Sequence, residues 1–364
     1  MSRSFVTRLV VLSASLSFVS GAFAEKSTMG GVTYLPFSVP SDEVTAKALA
    51  SPIKTIVDKP KPSPTGNQHD YVSFARYWWP DPTKPDGLPW IQKDGVHNEA
   101  QVKLGDEPRL MEMDETVFAL ARAWTKTGDA RYAARAGEWL RAWFVTPATR
   151  MTPNLEFSQI QMGRNHNHGN GTGVLDGRGF AQVVDALNLL RGSPALSAAD
   201  DQAVHAWFSA YSTWLEASAN AGKEHKAVNN HGSWFLAQAI PIARYVGDEA
   251  LARQLCEGDK ARIDDQIKPD GRQPYELKRQ DGLGYSAFNV QAQFQVATHA
   301  EELGIDLWHY EAPGGGSLKK AYDYILPYNS NPKSWPGNEL NAKKGGFLTG
   351  EIETAARVWG GKAS

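Results

Sequence analysis

The stretch Val204–Leu215, VHAWFSAYSTWL, decides the fold class of this 364-residue chain. Its apolar side chains recur three and four positions apart, at Val204, Trp207, Phe208, Tyr211, Trp214 and Leu215. This spacing places them on one face of an α-helix and leaves polar residues on the other face. The same spacing recurs in two earlier segments, one with Val117, Leu120, Ala121 and Trp124, the other with Tyr132, Ala136, Trp139, Leu140 and Trp143. No comparable run of strict apolar–polar alternation appears, so the sequence predicts a mostly helical protein.

A weak internal repeat extends this prediction to the arrangement of the helices. Thr127–Leu140 (TGDARYAARAGEWL) resembles Val246–Asp259 (VGDEALARQLCEGD), and in both segments Gly-Asp separates two helical patterns. Glycine provides the left-handed residue that ends one helix, and aspartate caps the next helix. Repeated helix pairs stack into a solenoid or close into a ring. Because Gly-rich and aromatic loops recur between the helices, we favour an all-α fold, an α/α toroid (incomplete helical barrel) with these loops around a central cleft.

The N-terminus has the features of a cleavable secretory signal peptide. Arg3 and Arg8 precede the apolar run Leu9–Val19, and small residues follow before Glu25. The apolar run is too short to span a membrane, and no later stretch is long enough. We therefore expect residues 1–24 to be removed from a soluble protein that is periplasmic or secreted and has no membrane partner.

The rest of the chain divides into two parts. Residues 25–70 are rich in Pro, Lys and Ser and are predicted to form an extended N-terminal segment. Within it, Asp58–Gly66 (DKPKPSPTG) is typical of an exposed connector. Residues 71–364 contain the helical patterns, so we expect them to form one helical domain.

Composition excludes some classes of partner. The formal net charge of −2 leaves no basic excess to neutralise phosphates, so no nucleic-acid partner is expected. Twelve Trp and twelve Tyr residues provide flat faces that suit sugar rings, although a large helical core also uses many aromatic side chains. Cys256 is the single cysteine, so no internal disulfide forms. The sequence does not predict the oligomeric state.

One segment is too rich in proline and tryptophan for a helix. Tyr71–Trp90, YVSFARYWWPDPTKPDGLPW, contains four prolines and three tryptophans, which predicts a loop of stiff aromatic side chains. Tyr77, Trp78 and Trp79 are candidates to stack on sugar faces or to cover a cleft. The alternative is that these rings pack against the ends of helices.

A second polar segment, Gly163–Arg178 (GRNHNHGNGTGVLDGR), contains two histidines and an arginine. His166 and His168 resemble a pair of metal ligands, but a catalytic metal usually needs a third protein ligand, which this stretch does not identify. We therefore expect no metal and no cofactor, and favour a flexible polar loop or a substrate contact. Arg178 is a candidate to bind a substrate carboxylate, with pairing to Asp176 as the alternative.

Lys226–Trp234, KAVNNHGSW, places two carboxamides directly before a histidine. Asn229 and Asn230 offer several hydrogen-bond donors and acceptors without a charge, which suits binding of an anionic oxygen. His231 is either part of such a site or a buried structural histidine at the start of a helix.

Asp270–Asn289, DGRQPYELKRQDGLGYSAFN, places Arg279 and Tyr285 six residues apart, so both side chains can face one cleft. Together with Asn-Asn-His they lack the paired acids of a glycosidase and the serine elbow of a hydrolase. Amide, imidazole, guanidinium and phenol suit removal of the proton next to a uronate carboxylate, because donors stabilise the enediolate that develops. The arginine is expected to lower the pKa of the phenol, which then takes the C5 proton or protonates the departing glycosidic oxygen.

From about Tyr71 to Trp335 the chain resembles the alginate lyase superfamily, which consists of helical-toroid polysaccharide lyases acting on polyuronates. It is more similar to polysaccharide lyase family 38 than to the shorter family 5 enzymes. The motifs that carry the resemblance are YWWPDP…GLPW, ATRMTPNLEFSQ (Ala148–Gln159), NNHGSW, PDGRQPYEL (Pro269–Leu277) and YSAFN (Tyr285–Asn289). Their joint order is specific, whereas each motif alone is not.

The resemblance implies roles for the polar residues. Asn230 would neutralise the uronate carboxylate, and His231 would assist it or act as base on the face opposite the leaving group. Arg279 would stabilise charge, and Tyr285 would serve as acid and base. The expected substrate-binding residues are Tyr77, Trp78, Trp79, Arg178 and Asn229.

These observations predict a polysaccharide lyase that cleaves a polyuronate, alginate in the first instance, by β-elimination and leaves 4,5-unsaturated uronate ends. An anionic polysaccharide is thus the expected partner. The alternatives are a β-1,4-glucuronan lyase, a helical-toroid glycoside hydrolase with an Asp or Glu acid, and a non-catalytic periplasmic polyuronate-binding protein.

Overall fold

The computed structural model describes residues 42–338 and 345–360. The predicted signal peptide, residues 1–24, lies outside the described residues and stays a prediction. The described α-helices are α1 (Asp42–Ala50), α2 (Glu99–Val102), α3 (Glu107–Thr127), α4 (Ala130–Leu140), α5 (Phe180–Leu189), α6 (Ala198–Ala217), α7 (Ala219–His225), α8 (Asn230–Tyr245), α9 (Glu249–Gln266), α10 (Pro274–Leu277), α11 (Gly282–Glu302), α12 (Leu318–Ser330) and α13 (Thr349–Trp359).

The long helices pack in two rows. In the first row α3 contacts α5, α5 contacts α8, and α8 contacts α11. In the second row α4, α9 and α12 pack on α3, α8 and α11 respectively. The mostly helical fold predicted from the apolar spacing is therefore confirmed.

The helix boundaries predicted from the internal repeat are also confirmed. Gly128 ends α3 in the left-handed conformation, with φ 69°, and Asp129 caps α4 by accepting from a backbone N–H. Gly247 has φ 89° between α8 and α9, and the side chain of Asp248 caps α9. In both pairs the glycine lies at the end of one helix and the aspartate caps the next. Glycine suits its position because a positive φ is costly for other residues.

The apolar face of α6 lies in the main hydrophobic core, as its spacing predicts. Trp207 and Phe208 are buried there against Phe144 and Phe180, with ring centroids 4.7–6.0 Å apart. Tyr211 stacks on Trp207 at 5.5 Å. Much of the aromatic content therefore stabilises the core and is not available for sugar binding.

Within the described residues, four short strands lie beside the helices. Strands β1 (Val72–Phe74) and β4 (Phe157–Ile160) pair in parallel, and β2 (Trp78–Trp79) pairs antiparallel with β3 (Ile91–Gln92). The aromatic segment is thus free of helix, as predicted, but part of it is held in strand pairs. This pairing fixes the direction of the side chains at positions 78 and 79.

The N-terminal segment, residues 25–70, is described from Asp42 onwards. Its described part contains helix α1, and Ile56 is fully buried in the core. Seven of the nine residues of Asp58–Gly66 are exposed, as predicted for a connector. Lys59 and Ser63 are the exceptions: each is only 4% exposed, and Lys59 forms an ion pair with Asp106 over 3.3 Å. The polar composition of the segment could not predict the burial of Lys59, because its partner, the buried Asp106, is distant in sequence. None of the helices in the described ranges is long and apolar enough to cross a membrane.

Candidate active site

A cleft of about 1030 Å³ lies where the first-row helices begin. Its lining includes Glu107 at the start of α3, Arg178 just before α5, Asn230 at the start of α8 and Tyr285 in the first turn of α11. Helix N-termini carry unpaired N–H groups and partial positive charge, so they favour anions. The architecture therefore suits a negatively charged ligand.

One side of the cleft, here called the helical wall, consists of Glu224, Asn230 and His231. Asn229 caps α8, with its side-chain oxygen accepting from the backbone N–H of His231 over 3.3 Å. This cap begins the helix at Asn230, which places Asn230 and His231 in its first turn. The loop before α8 is held by Arg262, whose guanidinium donates to the carbonyl of Ala227 over 2.6 Å.

A buried glutamate stands behind Asn230. Glu276, on α10, accepts from the backbone N–H of Asn230 over 2.7 Å and from its side-chain amide over 2.6 Å. Both residues are at most 1% exposed, and the Asn230 Oδ1 has no hydrogen-bond partner among the described residues. Burial raises the pKa of Glu276, which the hydrogen bonds from Asn230 partly counteract. Glu276 thus holds the carboxamide of Asn230 by one short hydrogen bond and its backbone by another.

A second buried glutamate holds His231. The Nδ1 of His231 lies 2.7 Å from the Oε1 of Glu224, whose side chain is 1% exposed. Burial lowers the pKa of His231, but the nearby carboxylates of Glu224 and Glu276 outweigh it, so the net shift is upward. The pKa of Glu224 is raised by burial. The sequence analysis assigned no role to either Glu224 or Glu276.

The predicted pair Arg279 and Tyr285 does come together. The guanidinium of Arg279 donates to the Tyr285 hydroxyl over 2.9 Å, and its carbon lies 3.8 Å from the centre of the phenol ring. Asp94 accepts two hydrogen bonds from Arg279, of 2.7 and 3.2 Å. The Tyr77 hydroxyl lies 2.7 Å from that of Tyr285. Tyr285 is therefore flanked by one cation and one phenol.

The expected lowering of the Tyr285 pKa by the arginine is wrong for the protein without substrate. Burial raises the pKa of Tyr285, the neighbouring Tyr77 raises it further, and Arg279 opposes these effects without overcoming them. The phenol therefore keeps its proton at neutral pH. Arg279 itself stays charged, since Asp94 and Tyr285 raise its pKa despite burial.

Tyr77, Trp78 and Asp94 form the opposite side of the cleft, here called the loop wall. The ring of Trp78 is covered by the guanidinium of Arg164 at 4.9 Å. Trp79, next on the same strand, points elsewhere: its indole donates to the carbonyl of Val96 over 3.0 Å, and it does not line the cleft. Neighbouring residues of a strand face opposite sides, so only one of the two tryptophans reaches this site.

Arg178 lies at the cleft and does not pair with Asp176. Asp176 accepts instead from Tyr71, Ser73 and Gln159 over 2.5–3.0 Å. Arg178 has one hydrogen bond, of 3.3 Å, to a backbone carbonyl. Lys223, which sequence reasoning missed, also lines the cleft, and no ion pair joins either cation to a carboxylate in the described ranges. Both are therefore available to an anionic ligand.

The histidines of the Gly163–Arg178 segment lie outside the cleft lining. His166 is exposed and has a positive φ of 52°, and His168 packs against Phe157 with ring centroids 5.2 Å apart. Within residues 42–338 and 345–360, no group of three or more His, Cys, Asp or Glu side chains has the geometry of a metal site.

Comparison with known proteins identifies the family. The alginate lyase family model matches residues 55–335. An alginate lyase from Bacteroides ovatus is 34% identical, with a TM-score of 0.79 over 82% of this chain and 79% of that one. Alginate lyase A1-III from Sphingomonas species A1 is 17% identical, with a TM-score of 0.57 over 88% and 87% of the two chains, which shows a shared fold.

A variant of alginate lyase A1-III in complex with a tetrasaccharide is 20% identical, with a TM-score of 0.56 over 86% of this chain and 81% of that one. No curated protein sequence gives a significant match. The family model nevertheless spans most of the chain, including both walls of the cleft. The protein belongs to the alginate lyase family.

Proposed function

We propose that the protein cleaves alginate by β-elimination. The observation that carries the proposal is the convergence, in one cleft, of Asn230 and His231 from α8 with the Arg279–Tyr285 pair. An amide, an imidazole, a guanidinium and a phenol supply the donors and the proton carrier that elimination next to a carboxylate requires.

Substrate binding begins with charge. The positive ends of the first-row helices and the unpaired cations Arg178 and Lys223 attract a polyuronate into the cleft. Trp78 offers an aromatic edge or face to a sugar ring on the loop wall. A neutral polysaccharide would leave these cations without partners, so acidic chains are preferred.

Neutralisation of the carboxylate comes next. The C5 proton of a uronate becomes acidic when donors bind the adjacent carboxylate, because the negative charge then spreads onto stabilised oxygens. Asn230 and His231 are fixed by Glu276 and Glu224, so they need little reorganisation when the substrate arrives. We assign the helical wall to this step.

Tyr285 transfers protons at the reacting carbons. Tyr285 gives its hydroxyl proton to the glycosidic oxygen as the C4–O bond breaks. The resulting phenolate takes the C5 proton, and the electron pair of the C5–H bond forms the C4–C5 double bond. Arg279 stabilises the phenolate form of Tyr285 through their 2.9 Å hydrogen bond, and the Tyr77 hydroxyl is within reach to exchange a proton. Tyr285 thus serves as acid and, once deprotonated, as base.

The state of the carboxylates argues against a hydrolase. A glycosidase needs two carboxyl groups at the scissile bond. The carboxylates that line this cleft within the described residues are already engaged: Asp94 with Arg279, Glu107 with Arg76, Glu224 with His231, and Asp176 with three donors. Elimination does not need a free carboxyl pair, because it uses the amide, imidazole, guanidinium and phenol groups of the cleft.

Finer assignments belong to the same proposal. We infer that the protein is most similar to polysaccharide lyase family 38, that its helical rows form a toroid around the cleft, and that its signal peptide directs it to the periplasm or outside the cell. The motif order and the N-terminal charge pattern support these inferences. β-1,4-Glucuronan is the alternative substrate.

Incubation of the purified protein with alginate and with glucuronan tests the function. Elimination yields a C4–C5 double bond conjugated to the carboxylate, which absorbs ultraviolet light. We expect absorbance to rise with alginate. New reducing ends without this absorbance would indicate hydrolysis, and binding without new ends would indicate a non-catalytic protein.

A further inference from the structure

An exposed cation, Arg164, lies beside the cleft and has no part in the proposed mechanism. Its guanidinium lies over the ring of Trp78, with the guanidinium carbon 4.9 Å from the ring centre. Trp78 lines the cleft, whereas Arg164 is exposed just outside the lining. The Nε of Arg164 donates to the carbonyl of Trp90 over 3.1 Å. Within the described residues, its two terminal nitrogens have no hydrogen-bond partner and no carboxylate forms an ion pair with it.

The loop that carries Arg164 is held by its own hydrogen bonds. The Gly163 N–H donates to the side-chain oxygen of Asn167 over 2.8 Å, and the Arg164 N–H donates to the carbonyl of Gln161 over 2.9 Å. Residues 165–167 all have positive φ values, of 44–60°. Such values are uncommon for residues other than glycine and persist where the surrounding contacts enforce them. The loop therefore presents Arg164 in one defined place at the edge of the cleft.

The side chains of the loop wall follow one another outward from the reacting centre. The hydroxyl of Tyr77 lies 2.7 Å from that of Tyr285, and Trp78, the next residue along the chain, also lines the cleft. Arg164 covers Trp78 from outside the lining. A polymer that passes Tyr285 and then Trp78 on its way out of the cleft therefore meets Arg164 next.

We propose that Trp78 and Arg164 form an outer subsite of the cleft, in which the indole packs on one uronate ring and the guanidinium binds the carboxylate of a neighbouring uronate. The proposal rests on the proposed lyase function. Each sugar of a polyuronate offers an apolar ring face and a carboxylate, and a planar guanidinium can donate two parallel hydrogen bonds to a carboxylate. A neutral polysaccharide offers only the ring face. The subsite therefore favours acidic chains that are long enough to reach it.

Binding to the Tyr285→Phe protein tests this subsite without the need for cleavage. The probes are mannuronate oligosaccharides of increasing length, and calorimetry at low salt gives the Kd of each. We expect the added change Arg164→Met to leave the Kd of the shortest oligosaccharides in place and to raise that of the longer ones roughly two- to fivefold, since an exposed charge contributes modestly. An unchanged Kd at every length, or the same increase at every length, would overturn the proposal.

Arg150→Met, in the same Tyr285→Phe protein, is the matched control for net charge. Arg150 is an exposed arginine that does not line the cleft, so its removal should leave Kd in place at every length. An effect equal to that of Arg164→Met would mean that only general charge is at work, and it would overturn the proposal. If the wild-type protein makes no unsaturated product, the lyase function fails, while this binding series still supports or overturns the subsite.

A second background separates direct contact with the polymer from support of the tryptophan. In a protein that also carries Trp78→Ala, Arg164 keeps its hydrogen bond to the carbonyl of Trp90, so the guanidinium stays at the edge of the cleft. We expect Arg164→Met to weaken binding of the longer oligosaccharides in this background too, because the guanidinium meets a carboxylate itself. No further loss there would show that Arg164 only holds Trp78 in place, which would overturn the proposal.

Discussion

The two walls of the cleft are built differently. On the helical wall, the His231 side chain is 17% exposed and its partner Glu224 1% exposed, and Asn230 is fully buried. On the loop wall, Asp94 is 31% exposed, and Tyr77 and Trp78 are half-buried. On the helical wall, buried carboxylates hydrogen-bond to Asn230 and His231 at the start of α8. On the loop wall, the side chains lie in or next to the two-stranded sheet, where Tyr77 contacts Tyr285 and Asp94 contacts Arg279.

In the proposed mechanism, the helical wall takes part in the reaction and the loop wall binds the polymer. Buried, hydrogen-bonded donors are fixed before the substrate arrives, which is what stabilisation of a developing charge requires. Half-exposed aromatic side chains on short strands suit binding of successive sugars. Tyr285 and Arg279 lie between the walls, because Tyr77 and Asp94 of the loop wall hold them in place.

The largest effect is expected at the point where the walls meet. Tyr285→Phe removes only the hydroxyl that we propose transfers the protons, so kcat should fall by about 10² or more while the fold is kept. Circular dichroism and the initial rate of unsaturated product measure both quantities. A folded variant with nearly wild-type turnover would make Tyr285 structural and would require another proton carrier.

A smaller loss is expected when the loop wall no longer fixes the arginine. Asp94→Asn keeps the shape of the side chain but removes the ion pair with Arg279, so the guanidinium is less well aligned on Tyr285. We expect kcat to fall by roughly tenfold, since misplacement of a catalytic group is costly. Loss of substrate affinity with kcat unchanged would instead place Asp94 in binding alone.

Trp78 and Trp79, neighbours on strand β2, allow a residue that lines the cleft to be compared with one that does not. Trp78→Ala should raise KM for alginate roughly three- to tenfold, as expected for loss of one aromatic contact, with little effect on kcat. Trp79→Ala removes an indole that faces Val96, so it should leave KM in place and lower the melting temperature. A wild-type KM in both variants would show that neither ring contacts the polymer.

The smallest effect is expected from a cation at the rim. Lys223→Met should raise KM roughly two- to fivefold, because an exposed ion pair contributes little, and added salt should reduce the difference from the wild type. Lys226→Met is the matched control, since Lys226 is exposed just after the same helix but does not line the cleft. Identical responses of the two variants to salt would mean that Lys223 contributes only general charge.

Local patterns predicted the helices and part of the site. The apolar spacing of α6 and the Gly-Asp helix boundaries are confirmed because they depend on neighbours along the chain. Motif order also brought Asn230, His231, Arg279 and Tyr285 to attention, and the structure gathers them in one cleft.

The residues that hold this set were not predicted, because their partners are distant in sequence. Glu276 lies 46 positions from Asn230, and Asp94 lies 185 positions from Arg279. These pairs arise only when α8, α10 and the β2–β3 pair come together. Glu276 lies inside the quoted motif PDGRQPYEL, but this motif also contains Asp270, so the sequence alone did not single out Glu276.

The central claim, that the helical wall neutralises the carboxylate and does not remove the proton, is tested most directly with His231→Ala on two uronates. When the C5 proton and the leaving oxygen lie on the same face, as in mannuronate, one group can serve as base and acid; in guluronate they lie on opposite faces, so a separate base is required. Initial elimination rates should be measured on mannuronate and guluronate blocks with folded variant and wild type. We predict that both rates fall by the same factor, because neutralisation is common to both routes, whereas a loss confined to guluronate would contradict the claim and make His231 the base.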